Sequence, residues 1–509
     1  MSNVLSRLLL SFTLCATLLS VAFAQDTLII AQGTDAVTLD AHAITDSPSA
    51  TVSSHIVETL FELTPEGNIE PRLAESFTVS DDGLVWTLDL REDVMFHDGT
   101  PFNAEAVKYN LDRFLDPELG FTFRFLLARI EQVDVVDEYT VQLTLSDSFA
   151  PLLAHMTHSS TAMQSPAAIE EFGEDYGENP VGTGPFSLET WNRGERIDLV
   201  RNDDYWGTLP GVAAVSFLAV PENTTRMALV ETGEAHVAVR VPPQDIARLN
   251  AAEGLSVENV SSVRTIYIYF NHLLEPFTDV RVRQAVNYAV DKELIAEFVL
   301  GGAVRPSDAP VAPGIFGYTP VGYYEYDPEL ARQLLADAGY PDGFSTTLYS
   351  PSGRYLQDIQ TAEAIQSQLA EVGIDASIET LEWSSYLALT REAPEDNTVP
   401  MALLGWGTVT GDADYGLFPL FHTSEWVPDG SNRAFYSNPE VDALLDEART
   451  VQDEELRLSL YEDAMQTIWD EAAWLFLHSE TQLVAVRDEV QGLVIHPTER
   501  VLALNASLE

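Results

Sequence analysis

Hydrophobic positions along this chain switch between two spacings. Leu84, Trp86, Leu88 and Leu90 keep a period of two, as do Val141, Leu143 and Leu145. Residues two apart share one face of an extended chain, so each stretch reads as a half-buried strand. After Asp327-Pro328, Leu330, Leu334, Leu335 and Ala338 recur at helical spacing, and Gly339 with Pro341 marks the stop. Asp327 suits the N-cap and Pro328 the first helical position, where its missing N–H costs nothing. Asn438-Pro439 opens a second such helix, with Val441, Leu444, Leu445 and Ala448 facing inward. Asn103 can cap a third, with Val107, Leu111 and Phe114 on its inner face. Met401 to Trp406 is apolar without alternation, as in a strand buried on both faces, and the run Arg264 to Asn271 is rich in β-formers. Strand-like and helix-like segments alternate throughout, which predicts an α/β or α+β architecture. With no internal repeat and no long linker, lobes must be joined by short strand-like crossings, and the predicted boundary falls near 265–272.

The first residues differ in kind. Arg7 precedes an apolar run from Leu8 to Phe23 that ends Ala22-Phe23-Ala24. That is a secretory signal with a small-x-small cleavage site, too short to span a bilayer as a helix, and cleavage is expected after Ala24. Cys15 lies mid-run rather than at the end, so no lipid anchor is expected. It is the single cysteine, which leaves the mature chain without disulfides, thiolate metal sites or a cysteine nucleophile. The 485 residues that remain (509 − 24) call for two or three packed lobes.

Charge narrows the function further. The chain carries 80 Asp and Glu against 26 Lys and Arg, a net charge of −54, with Lys108 and Lys292 the only lysines. Nucleic acid and anionic lipid are disfavoured as partners. The acids are spread evenly, as on a solvated surface suited to high salt. An exported peptide hydrolase would need a nucleophile-base pair or a three-ligand metal site, and neither Gly-x-Ser-x-Gly nor His-Glu-x-x-His occurs. His97 has no such partner beside it and reads as structural. His155 and His158 share the spacing of a metal pair but lack a third ligand. The block Val181 to Phe186, with two glycines, reads as a backbone crossing where side chains would clash.

Several ordered blocks resemble the extracellular solute-binding proteins of family 5, which serve dipeptide, oligopeptide, nickel and glutathione importers. They are Leu73-Ala74-Glu75-Ser76, Phe96-His97-Asp98-Gly99-Thr100-Pro101-Phe102, Pro180 to Phe186, and Phe277 to Ala285, and the likeness runs on to Ile468-Trp469-Asp470-Glu471. Gly405-Trp406 with Thr410 to Asp414, Pro419-Leu420-Phe421 and Ala434 to Asn438 are most similar to the glutathione-binding branch. The resemblance implies an α/β, two-lobed periplasmic-binding-protein fold of the large peptide-binder type, with an extra β-rich subdomain in lobe 1. On that model residues 1–24 are the signal, 25–265 lobe 1 with the subdomain at about 50–180, 266–479 lobe 2, and 480–509 a return to lobe 1. It implies a non-enzymatic, monomeric receptor outside the inner membrane, with no cofactor, that hands a small peptide to ABC permease subunits. A nickel or other small-solute receptor of the same family and the exported hydrolase are the alternatives.

Ligand residues are expected around the Gly405-Trp406 loop. Family members that bind peptides hold the amino group with an acid near here; the dipeptide-binder position falls on Val409, while Asp412 and Asp414 lie a little further on. No histidine precedes His422 in this loop, which disfavours nickel. Arg354 and, from the other lobe, Arg240 are the expected carboxylate ligands, since a guanidinium fork matches a carboxylate. The expected set is therefore Arg354, Trp406, Asp412, Asp414 and Arg240, with no metal.

Overall fold

The computed structural model describes residues 27–509. The signal segment expected at 1–24, with its expected cleavage site, lies outside the described residues. One large mixed sheet organises the molecule. In chain order its principal strands are β1 (Thr27–Gln32), β2 (Phe186–Asn192), β3 (Arg196–Arg201), β4 (Ala214–Ala219), β5 (Val237–Val239), β6 (Leu255–Phe270), β7 (Phe344–Pro351), β8 (Ile374–Leu381), β9 (Met401–Gly407) and β10 (Trp474–Arg487). Their spatial order is β8-β7-β9-β6-β10-β5-β1-β4-β3-β2, and Arg305–Pro306 adds a short pairing to β10.

Two long strands, β6 and β10, run antiparallel through the middle and belong to both halves. Leu255 to Ser261 pairs with Arg487 to Thr481, the register then shifts, and Thr265 to Tyr269 pairs with Ser479 to Trp474. Beyond the first half lie β5 and β1; beyond the second lie β9 and β7. The boundaries expected at 265/266 and 479/480 thus fall inside continuous paired strands, close to the register shift.

The periodic segments form as their spacing requires. Trp86, Leu88, Leu90, Val141, Leu143 and Leu145 are buried in a separate four-stranded antiparallel sheet, ordered Ala74–Val79, Val85–Leu90, Thr140–Leu145, Ile130–Asp137. Helix Ala104–Leu115 covers it, with Asn103 as its cap and Val107, Leu111 and Phe114 in the shared core. Asp327 caps helix Pro328–Asp337 through the Leu330 N–H, and Asn438 caps Pro439–Thr450. At Gly182 and Gly184 the backbone passes directly over residues 55–57. A Cβ on Gly184 would stand 2.6 Å from the His55 carbonyl oxygen, and one on Gly182 would collide with that of Ile56. His97 braces this crossing, its Nε2 2.9 Å from the Gly184 carbonyl oxygen, a structural role in keeping with its sequence context.

Candidate functional site

A cavity opens between the two halves, with about 1100 Å³ of space including its mouth. One wall comes from Thr45 to Ser47, Phe123 and His158 of the N-terminal half, together with Arg500 near the C-terminus. The other comes from the loop after β7, the end of β9 and the segment around Arg433. β9 delivers Gly405 and Trp406 to this wall because its apolar run is buried until the strand ends. The Trp406 Nε1 donates to the Tyr415 carbonyl oxygen at 2.8 Å, which fixes the indole as a half-buried floor.

Five arginines line this cavity: Arg264, Arg354, Arg391, Arg433 and Arg500. Arg264 is neutralised, its Nε and Nη2 lying 2.6 and 2.8 Å from the two carboxylate oxygens of Glu499. Burial pushes the Glu499 carboxyl up, but the Arg264 guanidinium more than offsets this and holds it well below the usual carboxylate range. The other four form no ion pair among the described residues. Arg354 lies over the rings of Tyr355 and Trp383, 4.9 and 5.2 Å from their centroids. Arg391 donates to the Pro428 carbonyl oxygen at 3.0 Å, and Arg433 has a buried Nε without a hydrogen-bond partner. Arg500 is held by the hydroxyls of Thr498 and Ser54, and burial pushes it down to about 10. In a chain with three times as many acids as bases, four guanidiniums without an ion pair among the described residues on one cavity give it a local field that favours anions. The acid lining this cavity is Asp46. Burial pushes it up, while its bonds to the Ser49 N–H and hydroxyl, and Arg354 nearby, oppose this.

The expected ligand residues separate into two groups. Arg354 and Trp406 are on the cavity wall. Asp412 and Asp414 are not, and they leave the candidate ligand set because other groups already occupy them. Asp412 caps helix Ala413–Phe421 through the Asp414 N–H, and its carboxylate lies 2.8 Å from Arg457 Nη2, with the Tyr461 hydroxyl also donating to it. Asp414 is buried between Arg449 Nε at 3.1 Å and His155 Nε2 at 3.2 Å. Burial raises its carboxyl, but Arg449 and then His155 outweigh that and keep it below its ordinary range. Arg240 lines a neighbouring chamber with Glu480 and Glu499 rather than the main cavity.

His155 and His158 do not form a metal pair: His155 turns to Asp414, and His158 Nδ1 contacts the Ser160 hydroxyl. No group of three or more His, Asp or Glu among the described residues could hold a metal ion. Sequence reasoning missed Arg391, Arg433, Arg500 and Asp46, which lie in separate segments with no shared local motif.

The sequence profile of the bacterial extracellular solute-binding proteins, family 5 (middle), matches residues 68–427. The glutathione-binding protein GsiB of Shigella dysenteriae is 37% identical over 484 residues, covering 95% of this chain and 94% of its own. GsiB of Salmonella typhimurium is 36% identical over 478 residues, 94% of this chain and 93% of its own. Among solved structures, the periplasmic binding protein DppA of Helicobacter pylori, in complex with the peptide STSA, superposes with a TM-score of 0.86. It is 28% identical, with 95% of this chain and 98% of that one covered.

Proposed function

Because this chain belongs to the bacterial extracellular solute-binding proteins of family 5, we propose that its arginine-lined cavity captures a short anionic peptide, glutathione first among the candidates. As the substrate-binding component of an ABC importer, the protein delivers this cargo to membrane permease subunits. It works outside the cytoplasm as a monomer, after export and removal of residues 1–24. No helix among the described residues is long and apolar enough to cross a membrane.

The observation that carries the ligand class is the set Arg354, Arg391, Arg433 and Arg500, none of them ion-paired among the described residues, in a chain of net charge −54. Glutathione brings two carboxylates and one ammonium. Its carboxylates suit the guanidiniums, and its peptide backbone suits the Trp406 floor. The surplus of cations disfavours a Ni²⁺ cargo, which these arginines would repel. Capture requires no bond to be made or broken; the two walls close on the ligand by bending at the crossing strands.

Isothermal titration of the mature protein with glutathione, glycyl-glycine and Ni²⁺ tests the reading. Glutathione is expected to bind one to one and at least about tenfold more tightly than the dipeptide, a difference of about 1.4 kcal/mol. Equal affinity for both peptides, or heat from Ni²⁺ alone, would refute it.

A further inference from the structure

Beside the arginine cavity lies a second chamber, with about 780 Å³ of space including its mouth. The two share Ser47, and the Arg264–Glu499 pair divides them, with Arg264 on the first and Glu499 on the second. Two charged side chains of the second chamber stand apart. Arg240 is in no ion pair among the described residues, although its backbone is held at φ 56°, a conformation that side-chain-bearing residues seldom adopt. Glu480, at the point where β10 crosses between the halves, is 11% exposed. Its carboxylate accepts from the Leu356 N–H at 3.4 Å, and its nearest cation is Arg264 Nε at 3.7 Å, which Glu499 already engages at 2.6 Å. A half-buried cation and a half-buried carboxylate therefore face one chamber without an ion pair between them.

We propose that this second chamber receives the free α-amino-acid head of the bound peptide, Glu480 accepting its ammonium and Arg240 its α-carboxylate. The inference rests on the anionic-peptide reading above and assigns the end of the ligand that carries both charges. The rest of the ligand passes Ser47 into the first cavity, where its remote carboxylate meets the unpaired arginines. Val239, Leu356, Leu483 and Val501 give this chamber an apolar side beside its polar lining, and a contact made against that side is strengthened by the lower local dielectric. Asp46 is the rival for the ammonium, but its two oxygens already accept from Ser49. Glu480 accepts one long backbone bond and otherwise has Glu499 as its neighbour, a carboxylate that Arg264 already engages.

The surroundings of Glu480 give this subsite a proton signature. Burial and the adjacent Glu499 push its carboxyl up to about 7, against the lowering influence of Arg264 and Arg240. An ammonium binds the charged form, so a ligand bearing one expels the proton from Glu480 when it binds below neutral pH, and its affinity rises as pH passes through about 7.

The test is calorimetric titration of the mature protein with glutathione and with glutaryl-cysteinyl-glycine, the same molecule without its α-amino group. The wild type is expected to prefer glutathione by at least about thirtyfold. Glu480→Gln is expected to bring that ratio close to one while keeping affinity for the analogue, and Arg240→Gln to weaken both compounds in equal proportion. At pH 6, titrations in two buffers of different ionisation enthalpy should show proton release with glutathione and none with the analogue, a readout that needs no variant. Equal proton release for both compounds overturns the assignment. So does a ratio unchanged in Glu480→Gln but collapsed in Asp46→Asn, which moves the ammonium to the first cavity. Binding of neither compound by the wild type removes the anionic-peptide reading itself, and this subsite with it.

Discussion

Asp414 and Arg354 are both charged residues from the second half of the chain, and their surroundings give them opposite roles. Asp414 is enclosed with Arg449 and His155, so removing its charge strands a buried guanidinium. Asp414→Asn is expected to cost about 3–5 kcal/mol of stability, seen as a lower urea midpoint. Arg354 forms no ion pair among the described residues and rests over the rings of Tyr355 and Trp383. Arg354→Ala is expected to leave the melting temperature of the free protein within 2 °C of wild type. Its glutathione affinity should fall more than about tenfold by calorimetry. The reverse pattern, weak binding in the aspartate variant and instability in the arginine variant, would exchange the two roles. Sequence could not separate these residues. An acid in a ligand loop and an acid capping a helix have the same letter, and His155 and Arg449 are brought to Asp414 by tertiary packing alone.

At the level of elements, much was legible, because strand and helix periods report local burial. The strands at Val85–Leu90, Thr140–Leu145 and Met401–Gly407, and the caps Asn103, Asp327 and Asn438, stand where their spacing puts them. Leu330 and Leu334 are only half-buried, and Ala331 with Leu335 takes the inner face instead, since the partner surface and not the spacing chooses which stripe faces in. The glycine crossing was legible too, as a close approach. Gly182→Ala must push a methyl group against the Ile56 carbonyl, backbone that cannot swing aside. A loss of about 1–3 kcal/mol is expected in denaturant unfolding. Gly33→Ala, whose new methyl meets only the end of Arg226 at 3.5 Å, should stay within about 0.5 kcal/mol of wild type. Comparable losses in both would mean that glycine matters here through backbone entropy rather than space. The cavity itself was not legible, because it is assembled from six or more segments that meet only when the halves pack.

For the molecule as a whole, the histidines set the response to acid. Burial pushes His42, His158, His272, His478 and His496 down to about 3, and His55 to about 4. All six are neutral in the fold, while the unfolded chain protonates them near 6.5. A depressed histidine contributes stability that is present above the unfolded value and lost as pH falls below it. Each therefore removes up to about 1.4 kcal/mol per pH unit below 6.5. Glu480, pushed up to about 7, acts in the opposite sense, as do Asp46, Glu62 and Glu425, which burial also raises, but these four are fewer than the six histidines. Urea midpoints are expected to fall between pH 7 and pH 5 even though acidification reduces the net negative charge. An unchanged or higher midpoint at pH 5 would show that relief of acid–acid repulsion dominates.

The late arrival of β10 also sets a clock for synthesis. Val237–Val239 pairs with Val486 to Val484, Ala503 N donates to the His55 ring, and Ser507–Leu508 pairs with Val490–Gln491. A chain made from its N-terminus thus has an unfinished first half, with β5 beside β1 but without β10, until Trp474–Arg487 has been made. The first half cannot complete its sheet before Trp474–Arg487 and the strands after it have been made.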